Sequence, residues 1–120
     1  MRRLGELEAP IMEVLWAATG PVTVRGVLES LDREPEPAYT TVMTVLDNLH
    51  RKDIVTRERD GRAWAYRPAL SREDFEAEAM ASVLESSADR GATLLSFIGK
   101  ISPDELARLR ELMDEAGERE

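Results

Sequence analysis

Few side chains in this sequence could do covalent or metal chemistry. His50 is the only histidine, and the 120 residues contain no cysteine. A zinc site needs several nitrogen or sulfur ligands, so one histidine makes a poor metal site. Aspartate and glutamate are plentiful, but no Ser/His pair, glycine-rich phosphate loop or paired-acid arrangement accompanies them. We therefore expect no catalytic residues, no bound metal and no cofactor.

The polar residues between positions 38 and 52 are of types that bind rather than react. Apolar residues at helical spacing predict a helix whose inward face is Val42, Val45, Leu46 and Leu49. Its outward face then holds Tyr39, Thr40, Thr41, Met43, Thr44 and Asn48. Hydroxyl and amide groups can reach base edges in the DNA major groove, where a threonine methyl can meet a thymine methyl. This face is either a DNA-reading surface or ordinary solvated surface, and Tyr39 either contacts a phosphate or packs beside the preceding prolines.

Two runs of alternating residues follow this helix, at 54–59 and 62–67. They flank Asp60-Gly61, which is a strong signal for a β-hairpin. The tip of that ribbon carries Arg59 and Arg62, whose guanidinium groups are suited to neutralising phosphates. The alternative is that both arginines pair with neighbouring acidic residues.

The elements that must position these side chains begin near the amino terminus. An amphipathic helix is predicted over residues 4–18, and a shorter one follows the N-cap Thr23. Prolines make residues 32–37 a connector. Three helices followed by a two-stranded ribbon is the order of a winged helix-turn-helix, so the predicted fold is mainly α with a small β-hairpin. Three aromatic residues are expected to pack in its core: Trp16, Trp64 and Tyr66.

The carboxy-terminal part reads as helices with more apolar surface than they can bury alone. Helices are predicted after the N-caps Ser71 and Ser102, with a break at 86–91 and a dense apolar segment at 94–101. Pairing with an identical chain would cover that surface. The predicted dimerisation residues are Phe75, Met80, Val83, Leu84, Leu94, Ile98, Leu106, Leu109 and Met113. We expect a winged-helix DNA-binding domain over 1–70 and a helical dimerisation domain over 71–120.

The charge is divided unevenly between these two parts. The net charge of −8 is made up of −1 over residues 1–70 and −7 over residues 71–120. Residues 38–67 alone carry six basic and four acidic side chains. Because a DNA-binding protein needs positive charge only where it meets phosphates, the acidic total does not exclude one.

Three segments of this sequence resemble the penicillinase-repressor family of the BlaI/MecI type. They are LGELEAPIMEVLW, VTVRGVLESL and AYTTVMTVLDNLHRKDIVTRERDGRAWAYRP, and the similarity runs from about Leu4 to the end of the chain. The resemblance implies a homodimeric repressor of β-lactam-resistance or related genes that binds a palindromic operator. It implies DNA contacts from Tyr39, Thr40, Thr41, Thr44, Arg59 and Arg62, supported by Arg51 and Lys52.

The resemblance also suggests how the repressor is released. Family members are typically cut in the dimerisation region, commonly at an Asn-Phe bond, by a protease linked to a membrane sensor. This sequence has Ser96 and Phe97 in the corresponding place, which puts cleavage there in doubt. The absence of cysteine excludes the copper-sensing mode of a related branch.

Two further expectations concern the class of function and the location of the protein in the cell. A winged helix can also serve as a protein–protein interaction module without sequence-specific DNA binding, which is the alternative function. No apolar run approaches the length of a membrane span, and the amino-terminal segment contains three glutamates within its first 16 residues. We therefore expect a cytoplasmic protein with no signal peptide and no membrane insertion.

Overall fold

A computed structural model describes residues 4–118 of the chain. Within that range the elements are α1 (Glu8–Ala17), β1 (Val22–Thr23), α2 (Val24–Ser30), α3 (Tyr39–Arg51), β2 (Val55–Asp60), β3 (Ala63–Pro68), α4 (Arg72–Glu85), α5 (Arg90–Ile98) and α6 (Pro103–Glu118). Three helices followed by a β-hairpin confirm the predicted winged-helix order.

The chain divides after Ala79 into two compact units, so the division falls inside α4. The predicted ranges 1–70 and 71–120 extend beyond the described residues at both ends, and the functions assigned to them stay predictions.

Helix starts follow the predicted capping chemistry. At Thr23, Ser71 and Ser102 the side-chain oxygen accepts a hydrogen bond from the backbone N–H three residues later, each at 3.1 Å. Such bonds satisfy N–H groups that have no partner within the helix. The start of α5 differs from the prediction, because residues 86–91 read as a break. Asp89 instead caps a helix from Arg90, accepting from Ala92 N–H at 3.0 Å.

The core of the first unit explains why α3 presents one face outward. Val42, Leu46 and Leu49 are fully buried, and Val45 packs against the same cluster. The other buried members come from α1, α2, the strands, the residue before β2 and α4: Ile11, Met12, Leu15, Val24, Val27, Ile54, Val55, Tyr66 and Phe75. Once these apolar residues are buried, helical periodicity turns the threonines toward solvent.

One predicted dimerisation residue belongs to this core. Phe75 is 8% exposed, and its ring centroid lies 5.6 Å from that of Trp16. Its side chain is therefore used within the chain, and we remove Phe75 from the dimerisation set. Trp16 also donates from Nε1 to the Leu70 carbonyl at 3.0 Å, which joins α1 to the segment before α4.

The sheet has three strands where the sequence predicted two. The strand order is β1-β3-β2, all antiparallel, with Val22 opposite Tyr66 and Thr23 opposite Ala65. A two-residue strand leaves no alternating pattern to detect. This strand packs closely against Gly26 of α2: a Cβ added at Gly26 would be 2.8 Å from Val22 Cγ1.

The hairpin turn is one residue later than predicted. Asp60 pairs with Ala63, so the two loop residues are Gly61 and Arg62 rather than Asp60 and Gly61. Gly61 has a φ of 63°, as the first loop position of a type II′ turn requires. This register places Arg62 in the turn itself and Arg59 directly opposite Trp64.

The second unit leaves most of its large apolar side chains exposed. Between Met80 and Glu118 the structure buries no side chain fully. The exposed large apolar residues there are Met80, Val83, Leu94, Leu95, Phe97, Ile98, Leu109, Leu112 and Met113. None of the helices within residues 4–118 is long and apolar enough to cross a membrane.

Candidate nucleic-acid interface

The outward face of α3 is exposed as predicted. Tyr39 is 41% and Met43 43% exposed, and Thr40, Thr41, Thr44 and Asn48 also lie in solvent. We call this face, together with Arg62 in the wing turn and the side of the wing that carries Arg59 and Trp64, the DNA-facing surface. Its exposure is confirmed, whereas contact with DNA stays a prediction.

The threonine hydroxyls of α3 are not equivalent. Thr44 Oγ1 donates to the Thr40 carbonyl at 2.9 Å. In this rotamer Thr44 can only accept a further hydrogen bond, for example from the amino group of adenine or cytosine. Among the described residues, no side-chain hydrogen bond engages the hydroxyls of Thr40 and Thr41, so each can donate or accept.

The two predicted wing arginines also differ in the contacts that their side chains make. Arg59 lies against Trp64, with Cζ 4.2 Å from the ring centroid, and its Nη1 donates to the Arg62 carbonyl at 3.1 Å. The Arg62 side chain projects from the turn and has no ion pair within residues 4–118. Arg62 is therefore the wing cation that is free to bind a phosphate, whereas Arg59 also shapes the wing tip.

Trp64 and Tyr66 have separate roles in the structure. Tyr66 is 1% exposed in the core. Trp64 is half-buried at the edge of that cluster and contacts the guanidinium groups of Arg57 and Arg59. The expectation of core packing thus holds for Tyr66 and in part for Trp64.

The two predicted supporting residues have ion-pair partners. Arg51 Nη2 lies 3.1 Å from Asp47 Oδ2, and the Arg51 side chain is 75% exposed. Lys52 Nζ lies 2.9 Å from Glu8 Oε2, which joins α3 to α1. Partial burial disfavours the charged form of Glu8, but hydrogen bonds from Lys52 and from Gly5 N–H outweigh it and lower the Glu8 pKa. Lys52 therefore stabilises the fold as well as adding charge.

Sequence reasoning missed Arg25, Asp47 and Arg57. Arg25, on α2, places its Cζ 5.5 Å from the centre of the Tyr39 ring. Arg57 Nη1 lies 3.3 Å from Asp47 Oδ1, and its Cζ is 4.3 Å from the Trp64 centroid. Strand alternation could have shown that Arg57 shares a face with Arg59. No local pattern could have placed Arg25 beside Tyr39.

No metal site is formed in the part of the chain that the structure describes: no three His, Asp or Glu residues there are grouped to hold an ion. The described surface also has several open depressions. One of them, of about 420 Å³, lies along α1 and is lined by Glu13, Val14, Ala17, Ala18, Val22 and Ser30.

The remaining predicted dimerisation residues lie on α4, α5 and α6. Leu84 and Leu106 are half-buried, and the others are exposed: Met80, Val83, Leu94, Ile98, Leu109 and Met113. Leu95, Phe97 and Leu112 are also exposed, and the predicted dimerisation set did not include them. The bond between Ser96 and Phe97 lies within the last turn of α5.

Comparison with known proteins places this architecture in a family. The sequence pattern of the family described as Penicillinase repressor matches residues 4–115. Transcriptional regulator BlaI from Mycobacterium tuberculosis, in strains CDC 1551 and H37Rv, is 42% identical over 118 residues, which cover 96% of this chain and 86% of the relative.

Two solved structures are similar over most of the chain. MepR, a transcription regulator of the Staphylococcus aureus multidrug efflux pump MepA, has a TM-score of 0.49 at 18% identity, covering 97% of this chain and 79% of its own. PcaV, a transcriptional regulator from Streptomyces coelicolor, has a TM-score of 0.45 at 23% identity, covering 95% and 74%. On the family match and the BlaI identity, the chain belongs to the penicillinase repressor family, and it is a DNA-binding transcriptional repressor and not an enzyme.

Proposed function

We propose that this protein binds a palindromic operator as a homodimer, with one α3 in the major groove of each half-site. The observation that carries the proposal is the exposed face of α3, on which three threonines, Tyr39 and Asn48 stand free of the core. A helix of this kind fits the major groove, where base edges differ between all four base pairs. The regulated genes are proposed to be those of β-lactam resistance or related functions, as the family description Penicillinase repressor suggests.

Base reading is assigned to the threonines. Thr40 and Thr41 have hydroxyls that can donate or accept, and Thr44 can accept while presenting its methyl group. Phosphate binding is assigned to Arg62 in the wing turn and to Arg25 and Tyr39 at the amino-terminal end of α3. Phosphate contacts of this kind set the orientation of the reading helix without reading sequence.

Dimerisation is assigned to the exposed apolar residues of the second unit. Nine large apolar side chains there face solvent, from Met80 on α4 to Met113 on α6. Exposed large apolar side chains in this number are typical of an interface, and a twofold pair would supply the two reading helices that a palindrome needs. The half-sites are then expected about 34 Å apart, one turn of DNA.

Release is assigned to separation of the dimer. Losing one chain removes the gain in effective concentration that holds the other on its half-site. Cleavage between Ser96 and Phe97 by a sensor-linked protease would first require the last turn of α5 to unwind, because proteases prefer exposed loops. The site of action is the chromosome, in the cytoplasm.

The test is selection of DNA by the protein itself. Duplexes bound by the wild-type chain are enriched from a random-sequence pool and sequenced, and the mass of the complex is measured by sedimentation. We expect a twofold-symmetric sequence with two chains per duplex. A chain with Thr40, Thr41 and Thr44 all changed to valine is the control and should enrich nothing. Enrichment without symmetry, or by a single chain, would contradict the dimer proposal.

A further inference from the structure

Asp47 is a carboxylate beside the DNA-facing surface, where negative charge opposes the binding of phosphates. It lies on α3 one turn after Thr44 and contacts two arginines, Arg51 at 3.1 Å and Arg57 at 3.3 Å. Its side chain is 35% exposed, so it is neither a buried structural acid nor a fully solvated one.

The contact with Arg57 connects α3 to the wing. Strand register puts Arg57, Arg59 and Trp64 on one face of the hairpin. Both guanidinium groups lie over the Trp64 ring, with Cζ atoms 4.3 and 4.2 Å from its centroid. The carboxylate of Asp47 therefore stands at one end of a continuous chain of contacts that reaches the wing tip.

Stability alone does not account for this arrangement. Ion pairs this exposed contribute about 0–1 kcal/mol, and a neutral residue at position 47 would leave two more arginines available to DNA. Each free cation adds affinity for any phosphate backbone, whatever its sequence. The acid thus lowers the sequence-independent part of binding.

We propose that Asp47 is a specificity-determining residue beside the DNA-facing surface. It holds Arg51 and Arg57 so that they do not bind phosphates of arbitrary DNA, and it fixes the wing relative to the reading helix. Only a sequence that suits the threonines of α3 is then bound tightly. This inference rests on the proposed operator-binding function and adds to it the means by which non-operator DNA is rejected.

The variant that tests this is Asp47→Asn, which keeps the size of the side chain and removes its charge. Binding is measured as a function of salt on two duplexes, one selected by the wild-type chain from a random pool and one with the same bases shuffled. We expect affinity for the shuffled duplex to rise several-fold and its log–log salt slope to steepen by about 0.9 for each additional phosphate that the variant neutralises. Affinity for the selected duplex should rise less or fall, so the ratio between the two duplexes decreases.

Glu58→Gln is the matched control. Glu58 lies on the opposite face of the hairpin and pairs with Arg67 at 3.0 Å, with both side chains more than half exposed. Its substitution removes the same charge and frees one arginine, but it leaves the connection between α3 and the wing intact. The selected-to-shuffled ratio should stay at the wild-type value.

The double variant Asp47→Asn/Arg57→Gln tests whether Asp47 acts through Arg57. If freed Arg57 causes the rise in affinity for shuffled DNA, removing it should cancel most of that rise. Thermal unfolding by circular dichroism confirms that each variant is folded. The role of Asp47 is overturned if Asp47→Asn leaves the selected-to-shuffled affinity ratio unchanged, or if Glu58→Gln lowers that ratio by the same factor. Neither result would affect the proposal of operator binding. A wild-type chain that does not distinguish the two duplexes would overturn both proposals.

Discussion

Thr41 and Thr44 have the same type of side chain, but the fold gives their hydroxyls different hydrogen-bonding capacity. The Thr44 hydroxyl is used as a donor to the Thr40 carbonyl, a bond that serine and threonine often make within helices. The Thr41 hydroxyl has no such bond in the described chain. Replacement by valine, which removes the hydroxyl and keeps the shape, is therefore expected to affect the two positions differently.

Thr41→Val should weaken binding to the selected duplex by about 1–3 kcal/mol and binding to shuffled DNA much less. The physical reason is the loss of a hydrogen bond to a base edge, which only the correct sequence provides. Thr41→Ser, which keeps the hydroxyl, should retain most of the affinity. Thr56→Val, at an exposed threonine on β2, is the control. Equal losses on both duplexes would show that Thr41 does not read bases.

Arg25→Gln should weaken binding to all DNA alike. Arg25 is exposed on α2 beside Tyr39, and removal of one phosphate-binding cation is expected to flatten the salt slope by about 0.9. Arg25→Lys should keep the slope. The matched control is Arg33→Gln, because Arg33 pairs with Glu6 at 3.7 Å and lies outside the DNA-facing surface. A slope unchanged in Arg25→Gln would remove Arg25 from the phosphate-binding set.

At the scale of elements, α3 is held in place by contacts at its two ends. Near its amino terminus Arg25 of α2 lies over Tyr39, and just beyond its carboxy terminus Lys52 pairs with Glu8 of α1. Glu8 also accepts from Gly5 N–H at 2.8 Å, and its side chain is only 12% exposed. The charged form of Glu8 is thus stabilised by the folded chain.

Glu8→Gln should lower the free energy of unfolding near neutral pH by about 1 kcal/mol, allowing for the exposure of Lys52. Because the folded state lowers the Glu8 pKa, this contribution is present above the unfolded pKa of about 4.3. It is lost as the pH falls through the lower folded value. Denaturant unfolding from about pH 7 to about pH 3 should show the difference between wild type and Glu8→Gln shrinking with acid.

Glu6→Gln serves as the control for this titration, because the Glu6 side chain is 91% exposed and its contact with Arg33 is 3.7 Å long. Its free energy of unfolding near neutral pH should stay close to that of the wild type. A difference for Glu8→Gln that grows with acid would contradict the assigned contact.

At the scale of the whole molecule, the two units differ in how far their apolar side chains are buried. The first buries twelve of them in one cluster, whereas the second leaves nine large ones exposed. The acidic excess is shared equally, since residues 80–120 carry five basic and nine acidic side chains, a net charge of −4 out of the total of −8. Burial of that apolar surface against an identical chain is the proposed basis of dimerisation.

Leu109→Asp should convert the dimer to monomers and reduce affinity for the selected duplex far more than twofold, because two half-sites are no longer bound together. Leu109 is 48% exposed, so a charge there is tolerated by the single chain. Ala107→Asp, two residues away and about 200° round the helix, is the control. Sedimentation velocity provides the mass, and an intact dimer of Leu109→Asp would place the interface elsewhere.

Much of this architecture could be predicted from the sequence because its causes are local. Periodic apolar residues placed α3 and its outward face, and N-caps at Thr23, Ser71 and Ser102 marked helix starts. Each of these signals depends on residues within a few positions of one another. The differences arose where local signals were insufficient: β1 has two residues, Asp60-Gly61 indicated the hairpin but not which two residues form its turn, and Phe75 looked like any other apolar helix residue.

The sequence by itself thus determined the helices, the hairpin, the exposed threonines and the family. Tertiary structure alone decided which cations are free, since Arg57 is restrained by Asp47, Lys52 by Glu8, and Arg59 by Trp64 and the Arg62 carbonyl. The reason is that an ion pair forms between groups brought together by folding. Glu8 and Lys52 are 44 positions apart, a separation over which no sequence pattern indicates contact.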